Sequence, residues 1–245
     1  MRHFRAVICV TLFAGVAACV AGPDDEVELG TAEAAETAPG SQSLGTSTGF
    51  IDACAISGRT VATFNPTTEY DAIDEGVTAA LTLPFSFKLF SGTQTKFWIT
   101  TNGQLGFGGT PAGSTFGRVT CPLADARFTT PVVLVYSADL VGRDGEDAGV
   151  CYATIGSAPN RQLVVTWKDS FFYDAWLTSH VTFSATLNEG TNVIDVGIDR
   201  VEASDLPALE SGYGAALGKQ SGKTGYTYSC FQARAPSGTV IHYTP

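Results

Sequence analysis

Short apolar runs separated by Gly, Asn and Asp recur from Phe50 to the end of the chain. In "LTLPFSFKLF" the alternation puts Leu81, Leu83, Phe85, Phe87 and Leu89 on one face, the period of a half-buried strand. "PVVLVYSADL" is continuously apolar, as in a central strand covered on both sides. "RQLVVTWKDSFFY", "HVTFSATLNEG", "NVIDVGID", "GYGAALGK", "TGYTYSCFQA" and "GTVIHYT" read as further strands. Only "ASDLPALESG" reads as a helical turn. Roughly nine to twelve short strands predict an all-β, antiparallel two-sheet β-sandwich with jelly-roll or Greek-key-like connections.

"FWITTNGQLGFGG", residues 97–109, carries the strongest local hairpin signal, because Asn-Gly tolerates the positive φ of a type I′ turn. A two-residue Asn102-Gly103 loop sets Trp98 opposite Phe107, Ile99 opposite Gly106 and Phe97 opposite Gly108. Phe97 and Ile99 then cover two strand glycines. On that register the glycines need no ligand, and no helix follows to bind a phosphate.

The ends of the chain read differently. Arg2 and Arg5 precede an apolar run, 6–18, with the length of a signal-peptide core and too short to span a bilayer. "VAAC", Val16–Cys19, resembles a bacterial lipobox, which implies cleavage before Cys19 and lipidation there; ordinary signal cleavage near Ala18 or Ala21 is the alternative and would give a secreted protein. Val20 after the cysteine resembles an outer-membrane lipoprotein. Residues 20–49 hold six acids, no base and no aromatic residue, the composition of an unfolded acidic linker. The expected organisation is a leader over 1–18, a lipidated Cys19 with its linker over 19–49, and one domain over 50–245.

Charge narrows the partners. Losing Arg2 and Arg5 with the leader leaves 12 bases against 24 acids, a net charge of −12. Without a basic run, nucleic-acid binding is disfavoured. Cys54, Cys121, Cys151 and Cys230 remain in an exported chain, implying two disulfides with three connectivities open. Tying the two ends of the domain favours Cys54–Cys230, which leaves Cys121–Cys151. No CxxC and only two histidines beyond the leader, His180 and His242, argue against zinc.

"LPFSFKLFSGTQTKFWITTNGQLGFGG", followed by "SADL" at 137–140, "GSAPNRQLVVTW" at 156–167 and "FSATLNEGTNVIDVGI" at 183–198, resembles the bacterial nidogen-like (NIDO-type) β-sandwich domains. The resemblance covers about 80–245. "LVYSADL" departs from the family's aromatic-rich "PFW-DL", and the motif does not demand the four cysteines. It implies an extracellular adhesive or accessory module with no catalytic partner encoded here.

Motifs for chemistry are weak. "GTSTG" at 45–49 matches G-x-S-x-G but sits in the linker, without its strand and helix. "GKQSGKT" at 218–224 is one residue short of a P-loop and reads as a hairpin turn. His180 and His242 have no Ser or Cys partner in a recognisable motif. Asp139, Asp144, Glu146 and Asp147 in "ADLVGRDGEDAG" form a candidate Ca²⁺ set, with a solvated loop as the plain alternative. In "DSFFYDAWLTSH", alternation assigns Phe171 and Tyr173 to the core side. Trp176, flanked by Tyr173 and Asp174, is the candidate surface anchor for a protein or glycan.

These readings converge on an outer-membrane, lipid-anchored protein presenting a non-catalytic sandwich for adhesion or recognition of protein or glycan, with no cofactor and no nucleic-acid partner. The alternatives are a glycan or peptide hydrolase with a carboxylate site and a calcium-stabilised surface protein.

Overall fold

The computed structural model describes residues 49–65, 72–109, 119–143, 149–175 and 178–245. Cys19, the linker to residue 48, Asp144, Glu146, Asp147 and Trp176 lie outside the described residues. In chain order the strands are β1 (Thr60–Val61), β2 (Phe64–Asn65), β3 (Val77–Thr78), β4 (Leu81–Leu89), β5 (Gly92–Ile99), β6 (Gln104–Phe107), β7 (Val132–Ser137), β8 (Leu140–Val141), β9 (Gly149–Ile155), β10 (Gln162–Phe172), β11 (Ser179–Asn188), β12 (Ile194–Ala203), β13 (Ala216–Ser221), β14 (Thr224–Cys230) and β15 (Val240–Tyr243). Among the described residues two short α-helices, α1 (Ala72–Glu75) and α2 (Pro207–Glu210), interrupt them. No helix among the described residues is long and apolar enough to cross a membrane.

The strands form two antiparallel sheets, ordered β1-β9-β10-β11-β12-β15 (with β8 on β10) and β14-β13-β7-β6-β5-β4; β2 and β3 make a small separate ribbon. Consecutive antiparallel strands build each sheet, β9 to β12 in one and β4 to β7 in the other, with residues 108–131 between β6 and β7. The chain changes sheet between β1 and β4 (by way of the β2–β3 ribbon), β7 and β8, β12 and β13, and β14 and β15. The sequence pattern explains these elements. Leu83, Phe85, Phe87 and Leu89 are buried on the inner face of β4. All six residues of β7 are buried, as its apolar run requires at the centre of a sheet. The helical turn in "ASDLPALESG" is α2, with Pro207 at its first position.

Three apolar clusters follow from strand parity. Val133, Val135, Leu163, Val165, Trp167 and Phe183 belong to the core between the sheets. Trp167 stacks on Phe183 with centroids 4.9 Å apart, and its indole N–H donates 2.7 Å across to the Thr100 carbonyl, joining the sheets. Residues of opposite parity face outward and are covered by two straps. Residues 51–56 cover Cys151, Ala153 and Val164. The strap near 119–128 lays Val119, Leu123 and Phe128 over Trp98, Val132, Leu134 and Ala216. Asp125 pins this second strap. Its carboxylate accepts from the Thr120 N–H at 2.8 Å and from Arg127 at 2.7 Å, and its own N–H donates to Gln220 at 3.0 Å.

Each strap carries a cysteine, which corrects the expected pairing. Cys54 bonds to Cys151, Cα atoms 5.2 Å apart, and Cys121 bonds to Cys230, Cα atoms 6.1 Å apart. Cys54–Cys230 and Cys121–Cys151 do not form. Cys54 lies over the outer face of one sheet, where β9 presents Cys151. Cys121 lies on the other sheet, where β14 ends at Cys230. The bridges staple straps to sheets rather than one end of the domain to the other.

Two further expectations change by one residue. The hairpin pairs Phe97 with Phe107, Trp98 with Gly106 and Ile99 with Leu105, a slip of one from the two-residue turn. Thr100 bonds Gln104 around a three-residue loop, Thr101-Asn102-Gly103, with Gly103 at φ +73°. Phe97 and Ile99 therefore face Phe107 and Leu105 in the core, and Trp98 is the ring lying over a glycine. A Cβ on Gly106 would come within 1.9 Å of its indole. In β10, the register shifts between Trp167 and Ser170, with Asp169 at φ +55°. The bulge flips the parity beyond it. Phe172 is buried and Tyr173 is 54% exposed, while Phe171 packs under the Arg143 guanidinium at 4.9 Å. Phe171 and Tyr173 are not core residues.

Candidate functional site: an acidic corner floored by a buried hairpin

The tip of the β5–β6 hairpin is buried, with Thr101 and Asn102 each 2% exposed. Its polar groups are consumed by neighbours, as buried polar groups must be. The Thr101 N–H donates to Gly76 O at 3.1 Å, and the Thr101 hydroxyl accepts from the Gly76 N–H at 3.1 Å and donates to Asp74 O. Asn102 Nδ2 donates to Glu75 Oε2 at 2.9 Å, and Asn102 Oδ1 accepts from the Leu140 N–H at 2.7 Å. Gly103 O accepts from Val135 and Tyr136 N–H groups at 3.0 and 3.3 Å. A Cβ on Gly103 would stand 2.1 Å from Tyr136 O, so only glycine fits. Asn-Gly here clamps α1 to the start of β8, work that a solvent-facing turn would not do.

The clamp assembles carboxyl groups far apart in sequence. Asp74, Glu75 and Asp139 each place an oxygen within 4.8 Å of the others. Glu75 is 7% exposed, Asp74 half-buried and Asp139 exposed. Burial, then the charges of Asp74 and Asp139, push the Glu75 carboxyl up to about 7, against the opposing Asn102 hydrogen bond. Burial and the nearby Asp174 charge also raise Asp139. The Tyr173 N–H donates to Asp139 O at 3.0 Å, bringing Tyr173 and Asp174 to the same corner.

The structure thus gathers Asp139, Tyr173 and Asp174 and adds Asp74 and Glu75, which the sequence had not singled out. Crowded carboxyls of this kind can share a proton or bind a hard cation through oxygen. They also meet part of what acid–base hydrolysis needs, close carboxyls with displaced pKa values. Against that role, Glu75 is buried and tied to Asn102.

His180 and His242 are hydrogen-bonded to carboxylates elsewhere. His180 Nδ1 lies 2.5 Å from Asp169, which also meets Arg143 at 3.2 Å; His242 Nδ1 lies 2.5 Å from Asp195. "GKQSGKT" is the β13–β14 hairpin, with Ser221 paired to Thr224. Two disulfides suit an oxidising, extracellular or envelope setting.

No curated protein and no solved structure matches the chain significantly. The family model for NIDO-related domains matches residues 50–242, taking in both sheets, both disulfides and the acidic corner. The chain belongs to the NIDO-related family.

Proposed function

We propose that the protein is a cell-envelope lipoprotein, held at the outer membrane through lipid on Cys19, whose sandwich recognises protein or glycan without turning it over. The observation that carries this reading is the family match over 50–242, which takes in nearly all of the domain. The lipobox-like "VAAC" and the acidic stretch after it supply the anchor and reach. Exposed Tyr173 beside Asp139 and Asp174 supplies a contact surface, and Trp176, outside the described residues, is the anchor nominated from sequence. The test is crosslinking and capture from intact cells with the wild-type chain and Trp176→Ala. A specific partner or polysaccharide captured by the wild type and lost in the variant supports the reading. Capture of nothing specific, or turnover of a bound molecule, overturns it.

A second reading is a calcium-stapled surface protein, favoured by three carboxyls within 4.8 Å of one another. Its ligands would be Asp74, Glu75 and Asp139, an assignment that does not need Asp144, Glu146 or Asp147. A melting temperature raised by millimolar calcium and returned by EDTA supports it. An unchanged melting temperature removes it.

A further inference from the structure

The far end of the sandwich holds a second polar site. The β4–β5 turn (Phe90–Ser91), the β13–β14 hairpin and the chain's last residues enclose a cleft of about 460 Å³. Lys219 stands out within it. Its cross-strand partners are Val133 of the core and Tyr226, so its side chain points between the sheets, where the strand pattern calls for an apolar residue. It is 6% exposed, and burial lowers its ammonium below the usual lysine range.

Among the described residues no carboxylate forms an ion pair with it. Its neighbours are the Thr244 carbonyl and the Phe90 and Tyr226 rings, whose centroids lie 5.6 and 5.3 Å from Nζ. A buried cation without a counter-charge is costly, and sites that break the local pattern tend to be functional. Phe90 is also held at φ +54°, an uncommon conformation for a bulky residue.

The surroundings favour an anion despite the overall charge of −10. The segments 76–124 and 211–245, which supply the cleft, contain no Asp or Glu, so the backbone terminus at Pro245 is the one acidic group they bring to its lining, and they carry Lys88 and Lys223 within two residues of it. Asp195, across from β15, is engaged by His242. The Phe90 and Tyr226 rings stack 5.8 Å apart and offer an apolar face. Ser91, Ser221 and Thr224, each bearing a hydroxyl, also line the cleft.

We propose that this cleft binds a saccharide carrying a carboxylate, of the uronic-acid type. Lys219 takes the carboxylate, the ring pair packs on a sugar face, and the three hydroxyls bond those of the sugar. The proposal rests on the recognition reading above and adds to it a second, separate contact site, at the opposite end of the sandwich from Tyr173. An acidic peptide would also satisfy Lys219, so such a peptide is one arm of the test.

The experiment is calorimetric titration of the full chain with trigalacturonic acid, the neutral galactotriose and a short peptide ending in a free carboxylate. Saturable binding of trigalacturonic acid is expected, with about tenfold or more lost for the neutral sugar and for Lys219→Met. Ser91→Ala and Thr224→Val, both at exposed positions, are expected to weaken binding about two- to fivefold without changing the melting temperature. The proposal is overturned if trigalacturonic acid does not bind, if the peptide binds more tightly, or if these variants bind like wild type. Capture from cells that persists while this titration fails would discard the cleft and keep the recognition reading; loss of both would discard both.

Discussion

Glu75→Gln tests the electrostatics of the acidic corner. The substitution keeps an oxygen to accept from Asn102 Nδ2, now at 2.9 Å, and removes the charge that burial, Asp74 and Asp139 oppose. The folded-state pKa lies above the unfolded value. Between 4.5 and about 7 the folded chain keeps a proton that the unfolded chain has released, so stability falls as pH rises. That gap corresponds to roughly 3 kcal/mol, fully present below pH 4.5 and fully lost above about 7. Glutamine carries no such loss. For a domain of about 200 residues, 3 kcal/mol shifts Tm by roughly 6–12 °C. Thermal melts in EDTA from pH 5 to 8 should show the variant gaining on wild type across the range and exceeding it by several degrees at pH 8. Asp139, raised in the same direction, should leave a shallower slope in the variant. A variant less stable than wild type at pH 8, or with an unchanged pH slope, would refute the reasoning, because Glu75 would then be a favourably ionised group.

Much of the sandwich was legible because its strands obey the period of two. β4 reads its inner face directly, and β7 reads as buried on both sides. The failures lie where one residue is inserted. The bulge at Asp169 reversed the faces of Phe171 and Tyr173, and a backbone irregularity of that kind leaves no mark in side-chain alternation. The Asn-Gly signal located the hairpin but misjudged its loop, because contacts from α1 and Leu140 hold the tip in a three-residue form. Asp74 and Glu75 were missed because they meet Asp139 only through folding; the acid pair before Gly76 was the one local hint. The cysteine pairing failed because it depends on which sheet each strap covers. Lys219 closes the predicted strand "GYGAALGK" and drew no functional reading there, although it alternates with Leu217 and so faces inward.

Three further outcomes are expected. Gly106→Ala should cost about 2 kcal/mol or more by urea melts, since the new Cβ meets the Trp98 indole at 1.9 Å; a neutral result would mean the ring does not cover that glycine. Peptide mapping without reduction should find Cys54–Cys151 and Cys121–Cys230, and a Cys121→Ser/Cys230→Ser variant should lose roughly 2–4 kcal/mol with its 109-residue loop released; free thiols or another pairing would contradict the strap arrangement. Mass spectrometry of the membrane-extracted protein should find a mature chain beginning at a lipid-modified Cys19, and any other mature N-terminus would remove the anchor.

The most direct test of the central claim is crosslinking and capture from intact cells with the wild-type chain, followed by identification of what is bound and whether it has been altered. Recognition without catalysis predicts one specific protein or polysaccharide, recovered intact and lost from Trp176→Ala. Recovery of cleaved products, or capture no more specific than that of an unrelated acidic lipoprotein, would contradict it.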